Sequence, residues 1–175
     1  MHILFVCTGN ICRSPMAERL TAAYSISHAI PDLAASSAGT RAVIGHPIHV
    51  DAAHILKRLN ADASDFAARR LTPKIVSNAD LVLTMTREHR DIVLQTAPHQ
   101  LQRTFTLIEA ARLHSKFAAQ TISDLGALRP RLAANEPSDI PDPIGQSPEF
   151  FAMVGDQIAD LLPPILELCR RSVRA

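Results

Sequence analysis

Four apolar residues, Ile3-Leu4-Phe5-Val6, run directly into Cys7-Thr8-Gly9-Asn10-Ile11-Cys12-Arg13-Ser14, and these run directly into Pro15-Met16-Ala17-Glu18-Arg19-Leu20. A short apolar run, a Gly/Asn turn and a segment opening on Pro read as strand, loop and helix start. A chain that leaves a strand through a helix returns to the sheet in parallel, which restricts the folds open to it. The same unit is a natural anion cradle, because N–H groups at the helix start point at the ligand and the dipole adds positive charge.

The rest of the chain continues the alternation. Pro15 to about His28 is amphipathic, with Met16, Leu20, Ala23, Tyr24 and Ile26 near one face. Leu33–Ser37 is a candidate second strand, and Pro47–Leu59 is helical on Ile48, Ala52, Ile55, Leu56 and Leu59. Thr72-Pro73 suits the N-cap and first position of a short helix through Val76. Leu81-Val82-Leu83 is continuously apolar, as in a sheet covered on both faces. Thr86–Thr96 reads as helix, Thr104–Leu107 as the fourth strand, and Ser147-Pro148 as the cap of a long helix from Glu149 to about Arg171. The pattern predicts one α/β domain over residues 1–175, a parallel sheet with helices on both faces. Residues about 113–141 are the least patterned. Phe117, Ile122, Leu125 and Leu128 suggest helix, followed by a Pro-rich approach from Pro130 to Pro143. Two readings stand for this stretch: a lid-like loop beside the site, or a surface insertion with its own helix.

The loop residues carry the chemistry. A thiol is mostly protonated at neutral pH, and helix starts and cationic neighbours favour its thiolate. Cys7 has the helix start, Arg13 and the Ser14 hydroxyl as such neighbours. Five intervening residues let the loop curl with Cys7 at its floor and Arg13 at its rim, where a planar guanidinium can grip two oxygens of a phosphoryl group. Gly9 permits a tight backbone, and Asn10 tolerates the left-handed region. A leaving group needs a proton, and Asp142, stiffened between Pro141 and Pro143, is the candidate acid. Ligands of open α/β sheets bind at the carboxyl ends of strands, where Cys7 falls.

Formal net charge is 18 − 17 = +1, so no global field draws the chain to nucleic acid or a membrane surface. No apolar run is long enough to span a bilayer, and no charged leader precedes the first strand, so neither membrane nor export is expected. Three cysteines including a required thiolate fit a reducing cytoplasm. His46, His49 and His54 lack a Cys or carboxylate set to complete a metal site, and no cofactor is implied. Cys12 either forms a reversible disulfide with Cys7 or packs beneath the loop. Arg41 either meets an anionic substrate or is solvated.

Cys7 to Pro15 resembles the signature of the low-molecular-weight protein tyrosine phosphatase family. Ser37-Ala38-Gly39-Thr40, Ala68-Arg69-Arg70-Leu71-Thr72, Ala79–Met85 and Asp142-Pro143 follow in that family's order, over about residues 2–172. The resemblance implies a flavodoxin-like three-layer sandwich with a four-stranded parallel sheet of order 2-1-3-4. It implies removal of phosphate from protein phosphotyrosine through a cysteinyl-phosphate, without metal. Catalysis would fall to Cys7, Arg13 and Asp142. Phosphate binding and loop support would fall to Thr8, Gly9, Asn10, Ile11, Cys12, Ser14 and Ser37. Inorganic phosphate or another oxyanion would bind the same loop, and the Cys7–Cys12 redox pairing also agrees with the family. Two departures stand out. The family often has a histidine supporting the loop asparagine where Phe66 stands, so Asn10 needs another partner or the loop is looser. Ile144 and Gly145 follow Asp142-Pro143 where many members carry tyrosines, which thins the aromatic wall. A branch that dephosphorylates arginine shares the late Asp142-Pro143-Ile144-Gly145 pattern, but has threonine where Ile11 stands. The apolar Ile11 suits an aryl ester. Arsenate reduction would need two relay cysteines and finds only Cys169; a catalytically silent phosphate-binding module is the remaining alternative.

Overall fold

A computed structural model describes residues 1–30, 32–133 and 135–174. Strands β1 (His2–Cys7), β2 (Ala34–Gly39), β3 (Leu81–Thr84) and β4 (Thr104–Thr106) form one sheet in the order β2-β1-β3-β4. Every pairing is parallel; Cys7 lies beside Gly39, and Val6 beside both Ala38 and Thr84. Seven α-helices among the described residues complete the fold: α1 (Arg13–Ser27), α2 (Val50–Arg58), α3 (Pro73–Ser77), α4 (Arg87–Thr96), α5 (Leu107–Phe117), α6 (Ile122–Leu128) and α7 (Pro148–Arg174).

The two-residue period of β1 divides the core. Ile3 and Phe5 join a large apolar cluster with Phe105, Met16 of α1, Leu56 of α2, Leu113 of α5 and Ile158 of α7. Leu4 and Val6 point to the other face, into a smaller cluster with Val82, Val76 of α3 and Val93 of α4. Both faces are therefore covered, which is why β1 and β3 read as unbroken apolar runs.

Several boundaries differ from expectation, each for a local reason. Helix α1 starts at Arg13 rather than Pro15, so Arg13 and Ser14 sit in its first turn. Helix α2 starts at Val50 rather than Pro47, because the His49 ring accepts the Asp51 amide as N-cap and residues before it serve the loop described below. Leu107 belongs to α5 and not to the fourth strand. Thr106 and Glu109 form a capping box that ends the strand and starts the helix. Thr72 caps α3, as its sequence predicts, and Thr86, read as the first helical residue, is instead the cap of α4. The 113–141 stretch holds the end of α5, then α6, then a loop leading to Asp142, and Leu125 of α6 is fully buried in the main core.

Candidate active site

The loop from Cys7 to Arg13 lies at the carboxyl ends of β1 and β2, and its carbonyls are turned outward. The oxygens of Cys7, Thr8, Gly9 and Ile11 accept from the amides of Thr40, Arg41, Val43 and His49, at 2.8–2.9 Å. With its carbonyls held on that side, the loop's own amides face the other way. None of the amides of residues 8–12 is hydrogen-bonded to a group among the described residues. Consecutive free N–H groups at a helix start form an anion-binding nest.

Asn10 sets the bend. Its φ is +56°, a region that asparagine enters at low cost, and it is fully buried. Gly9 is less critical than its sequence context suggests, since an added Cβ would make ordinary contacts at 3.4 Å from Ile11 Cγ1 and 3.6 Å from Val43 Cγ2. The same distances place Ile11 and Val43 both against Gly9 at the loop. The demanding glycine is Gly39, where a Cβ would stand 2.5 Å from the Thr8 carbonyl oxygen.

A directed chain of hydrogen bonds ends at the Cys7 sulfur. The Glu18 carboxylate, which only accepts, takes the Ser37 hydroxyl proton at 2.5 Å. Ser37 Oγ is then free to accept from Asn10 Nδ2 at 2.8 Å, and the second Nδ2 proton goes to Ser14 Oγ at 3.0 Å. Asn10 Oδ1 accepts the Arg69 amide at 2.9 Å, which fixes the orientation of the side-chain amide. Ser14 Oγ, 2.9 Å from Cys7 Sγ, is left with its own proton to donate to the sulfur. The side-chain amide of Asn10 is thus engaged at both ends, so Arg69 supplies the partner that Phe66 cannot, and the loop is not loosened there. Phe66 instead packs against the core with the Arg19 guanidinium 5.6 Å from its ring centre.

Arg13 and Asp142 meet at the mouth of the loop. Arg13 is 4% exposed; one terminal nitrogen donates to the Ile140 carbonyl at 2.9 Å and the other pairs with Asp142 Oδ2 at 2.8 Å. The Asp142 side chain is half-exposed and its Oδ1 accepts the Ile144 amide at 3.2 Å. A phosphoryl group in the nest would compete for the Arg13 fork and leave Asp142 facing its ester oxygen. Cys12 lies under the loop as a buried free thiol, pushed up to about 12 by burial first and then by the nearby Cys7.

Three residues here escaped the sequence reading. Glu18 anchors the chain of hydroxyls. Its signal was its place one helical turn after Ser14, on the same face. His89 is buried, with Nε2 2.8 Å from Thr8 Oγ1 and Nδ1 2.9 Å from Thr86 Oγ1. Burial first, then the Arg13 charge, lowers it to about 4, so it is neutral at physiological pH. Its signal was the spacing of three from the N-cap Thr86. Arg87 holds the loop that leads to Asp142, and a cation in a helix's first turn, against the dipole, was its signal. Arg41 gives its backbone amide to the loop. His46 and His49 belong to the segment that brackets the loop, where Gly45 takes φ +80°.

Comparison with known proteins gives a consistent picture. The family model described as low molecular weight phosphotyrosine protein phosphatase matches residues 2–175. The low molecular weight protein-tyrosine-phosphatase Ptp of Acinetobacter johnsonii is 37% identical over 61% of this chain and 71% of its own length. A protein-arginine-phosphatase of Geobacillus stearothermophilus is 31% identical over 95% of this chain and 94% of its own. The crystal structure of a low molecular weight protein tyrosine phosphatase from T. tengcongensis superposes with a TM-score of 0.77 at 30% identity, covering 95% of this chain and 98% of that one.

Proposed function

The chain belongs to the low molecular weight phosphotyrosine protein phosphatase family, a family of hydrolases, and on that footing we propose that it removes phosphate from protein phosphotyrosine. The observation that carries the reading is the convergence of Cys7 Sγ, the unpaired loop amides, the Arg13 fork and Asp142 on one mouth.

In the proposed cycle the Cys7 thiolate attacks phosphorus in line, and the P–O bond to the leaving group breaks. Asp142 gives its proton to the departing oxygen. The loop amides and Arg13 hold the three equatorial oxygens while charge redistributes. Asp142, now a carboxylate, takes a proton from water. That water's oxygen attacks phosphorus, the P–S bond breaks and the thiolate returns. Ser14 donates to sulfur in both half-reactions and stabilises it as nucleophile and as leaving group. Thr8, Gly9, Ile11 and Cys12 contribute amides to the nest, and Asn10 and Ser37 hold its shape.

Phosphotyrosine is favoured over phosphoarginine by Ile11 and Val43, whose aliphatic side chains both flank Gly9 of the loop and suit an aryl ring better than a guanidinium. The near full-length similarity to an arginine phosphatase keeps that substrate as the second reading. We place the protein in the cytoplasm, where its three free cysteines stay reduced. No helix among the described residues is long and apolar enough to cross a membrane. The Cys7–Cys12 disulfide is proposed as protection of the nucleophile. We treat residues 1–175 as one domain, with 113–141 supporting the acid loop.

The test is initial rates of phosphate release from phosphotyrosine and phosphoarginine peptides, with Cys7→Ser as blank. Cys7-dependent turnover that is faster on tyrosine is expected. Faster arginine turnover would reassign the substrate, and no Cys7-dependent release from either would leave a phosphate-binding module.

A further inference from the structure

A general acid works only if its carboxyl is held within hydrogen-bond reach of the leaving oxygen. Asp142 sits in a stretch from 132 to 147 with no helix or strand among its described residues. Something outside that stretch must hold it. Two attachments belong to the site itself: Arg13 to the Ile140 carbonyl, and the Ile140 amide to the Met85 carbonyl at 2.8 Å. Three more run to Arg87, the first residue of α4. Its Nε donates to Ser138 Oγ at 2.6 Å and a terminal nitrogen to the Glu136 carbonyl at 2.5 Å. Its backbone amide donates to Asp139 Oδ1 at 2.7 Å. Ser138 is buried, and Arg112 and Lys116 of α5 pair with the Glu136 carboxylate at 3.3 and 3.2 Å.

We propose that Arg87 is a positioning residue for Asp142, its guanidinium clamping residues 136–138 so that the acid meets the leaving oxygen. This rests on the phosphatase reading. The planar fork matters, because a single ammonium cannot serve a hydroxyl and a carbonyl two residues apart with the same geometry. The location argues against a role in helix stability: a cation in the first turn of α4 opposes the helix dipole. From that turn Arg87 reaches the acid loop, while His89, two residues on, reaches Thr8 of the nucleophile loop. The start of α4 therefore spans both halves of the site.

A mispositioned acid has a kinetic signature that general loosening lacks. Esters with good leaving groups need no proton, whereas poor ones do. The experiment measures kcat/KM, which covers steps through leaving-group departure, for aryl phosphates from dinitrophenyl to phenyl, with Asp142→Ala as reference. In Arg87→Ala the ratio of dinitrophenyl to phenyl phosphate kcat/KM is expected to widen by about tenfold or more, toward that of Asp142→Ala, out of the 10²–10⁴ a general acid supplies. Arg87→Lys should fall between wild type and Arg87→Ala. A leaving-group dependence parallel to wild type, at whatever height, overturns the proposal. If Arg87→Ala fails to fold, Arg87→Lys and Arg87→Gln carry the comparison. If the wild-type protein shows no Cys7-dependent turnover, the phosphatase reading fails on its own. Hydrogen exchange at the Ile140 amide then decides the clamp: faster exchange in the Arg87 variants supports it, and unchanged exchange overturns it.

Discussion

Replacing His89 with Gln should flatten the acid side of the protein's stability curve. His89 is 4% exposed, both ring nitrogens face threonine hydroxyls, and burial followed by the Arg13 charge lowers it to about 4. Arg41 acts in the same direction, while Asp142 and Asp139 oppose it. An unfolded histidine titrates near 6.5. Between those values the unfolded chain holds more protons than the folded one, so stability rises with pH. The contribution is full above the unfolded value and is lost as pH falls through the folded one. By about pH 4.5 the loss reaches roughly 2.5 kcal/mol, from a window of about two units at 1.36 kcal/mol each. Gln titrates nowhere in this range. His89→Gln should cost about 1–2 kcal/mol near neutrality, for hydrogen bonds it cannot reproduce at both threonines. That deficit should shrink and then reverse toward about pH 4.5. Urea unfolding of both proteins across this range measures it directly. Parallel curves would mean that His89 does not carry the proton difference, and the reasoning would fail.

Other perturbations have clear directions. Asn10→Ala removes three hydrogen bonds, two of them buried, and puts Ala at φ +56°, so a loss of about 3 kcal/mol in thermal or urea unfolding is expected, with a larger relative loss of turnover. Gly39→Ala drives a Cβ to 2.5 Å from the Thr8 carbonyl oxygen, and should cost about 1–3 kcal/mol while displacing the loop; unchanged stability would contradict the packing. Peroxide treatment should yield a Cys7–Cys12 linked peptide by mass spectrometry, faster at higher pH because Cys12, pushed up to about 12, must lose its proton to attack an oxidised Cys7. Once Cys7 is fully oxidised, a rate of linkage indifferent to pH would exclude Cys12 as the attacking thiol.

The sheet was legible because its strands are buried on both faces, and Ile3–Val6 and Leu81–Leu83 carry that burial in unbroken apolar runs. The Cys7–Arg13 loop was legible because its residue types are tied to one geometry. What escaped was set by contacts between distant segments. Nothing local in residues 40–49 says that their amides hold the carbonyls of residues 7–11. Nothing near Arg69 says that its amide satisfies Asn10. Leu107 misled because an apolar residue after Thr104-Phe105-Thr106 continues a strand pattern, and only Thr106 with Glu109 reveals the helix start. Glu18, Arg87 and His89 sit on helices where polar residues ordinarily face solvent, so their turn toward the site was hidden.

The Phe66 departure can be decided by one substitution. An asparagine side chain offers two donors and an oxygen with two lone pairs. In Asn10 both donors are used on Ser14 and Ser37, and the oxygen already accepts from Arg69. A histidine at position 66 could add at most one bond to an amide whose orientation and bend are already fixed. Phe66→His is therefore expected to leave turnover within about twofold, since no transition-state contact is gained. It should lower stability by about 1–2 kcal/mol, through lost apolar burial and the weakened Arg19 contact. A tenfold rise in turnover would mean that the native loop is loose and that the Arg69 amide is an inadequate partner. The directed chain from Glu18 to Cys7 argues the other way. Each hydroxyl and amide along it has its proton already assigned, so rigidity at Cys7 comes from the strand ends and α1, not from position 66.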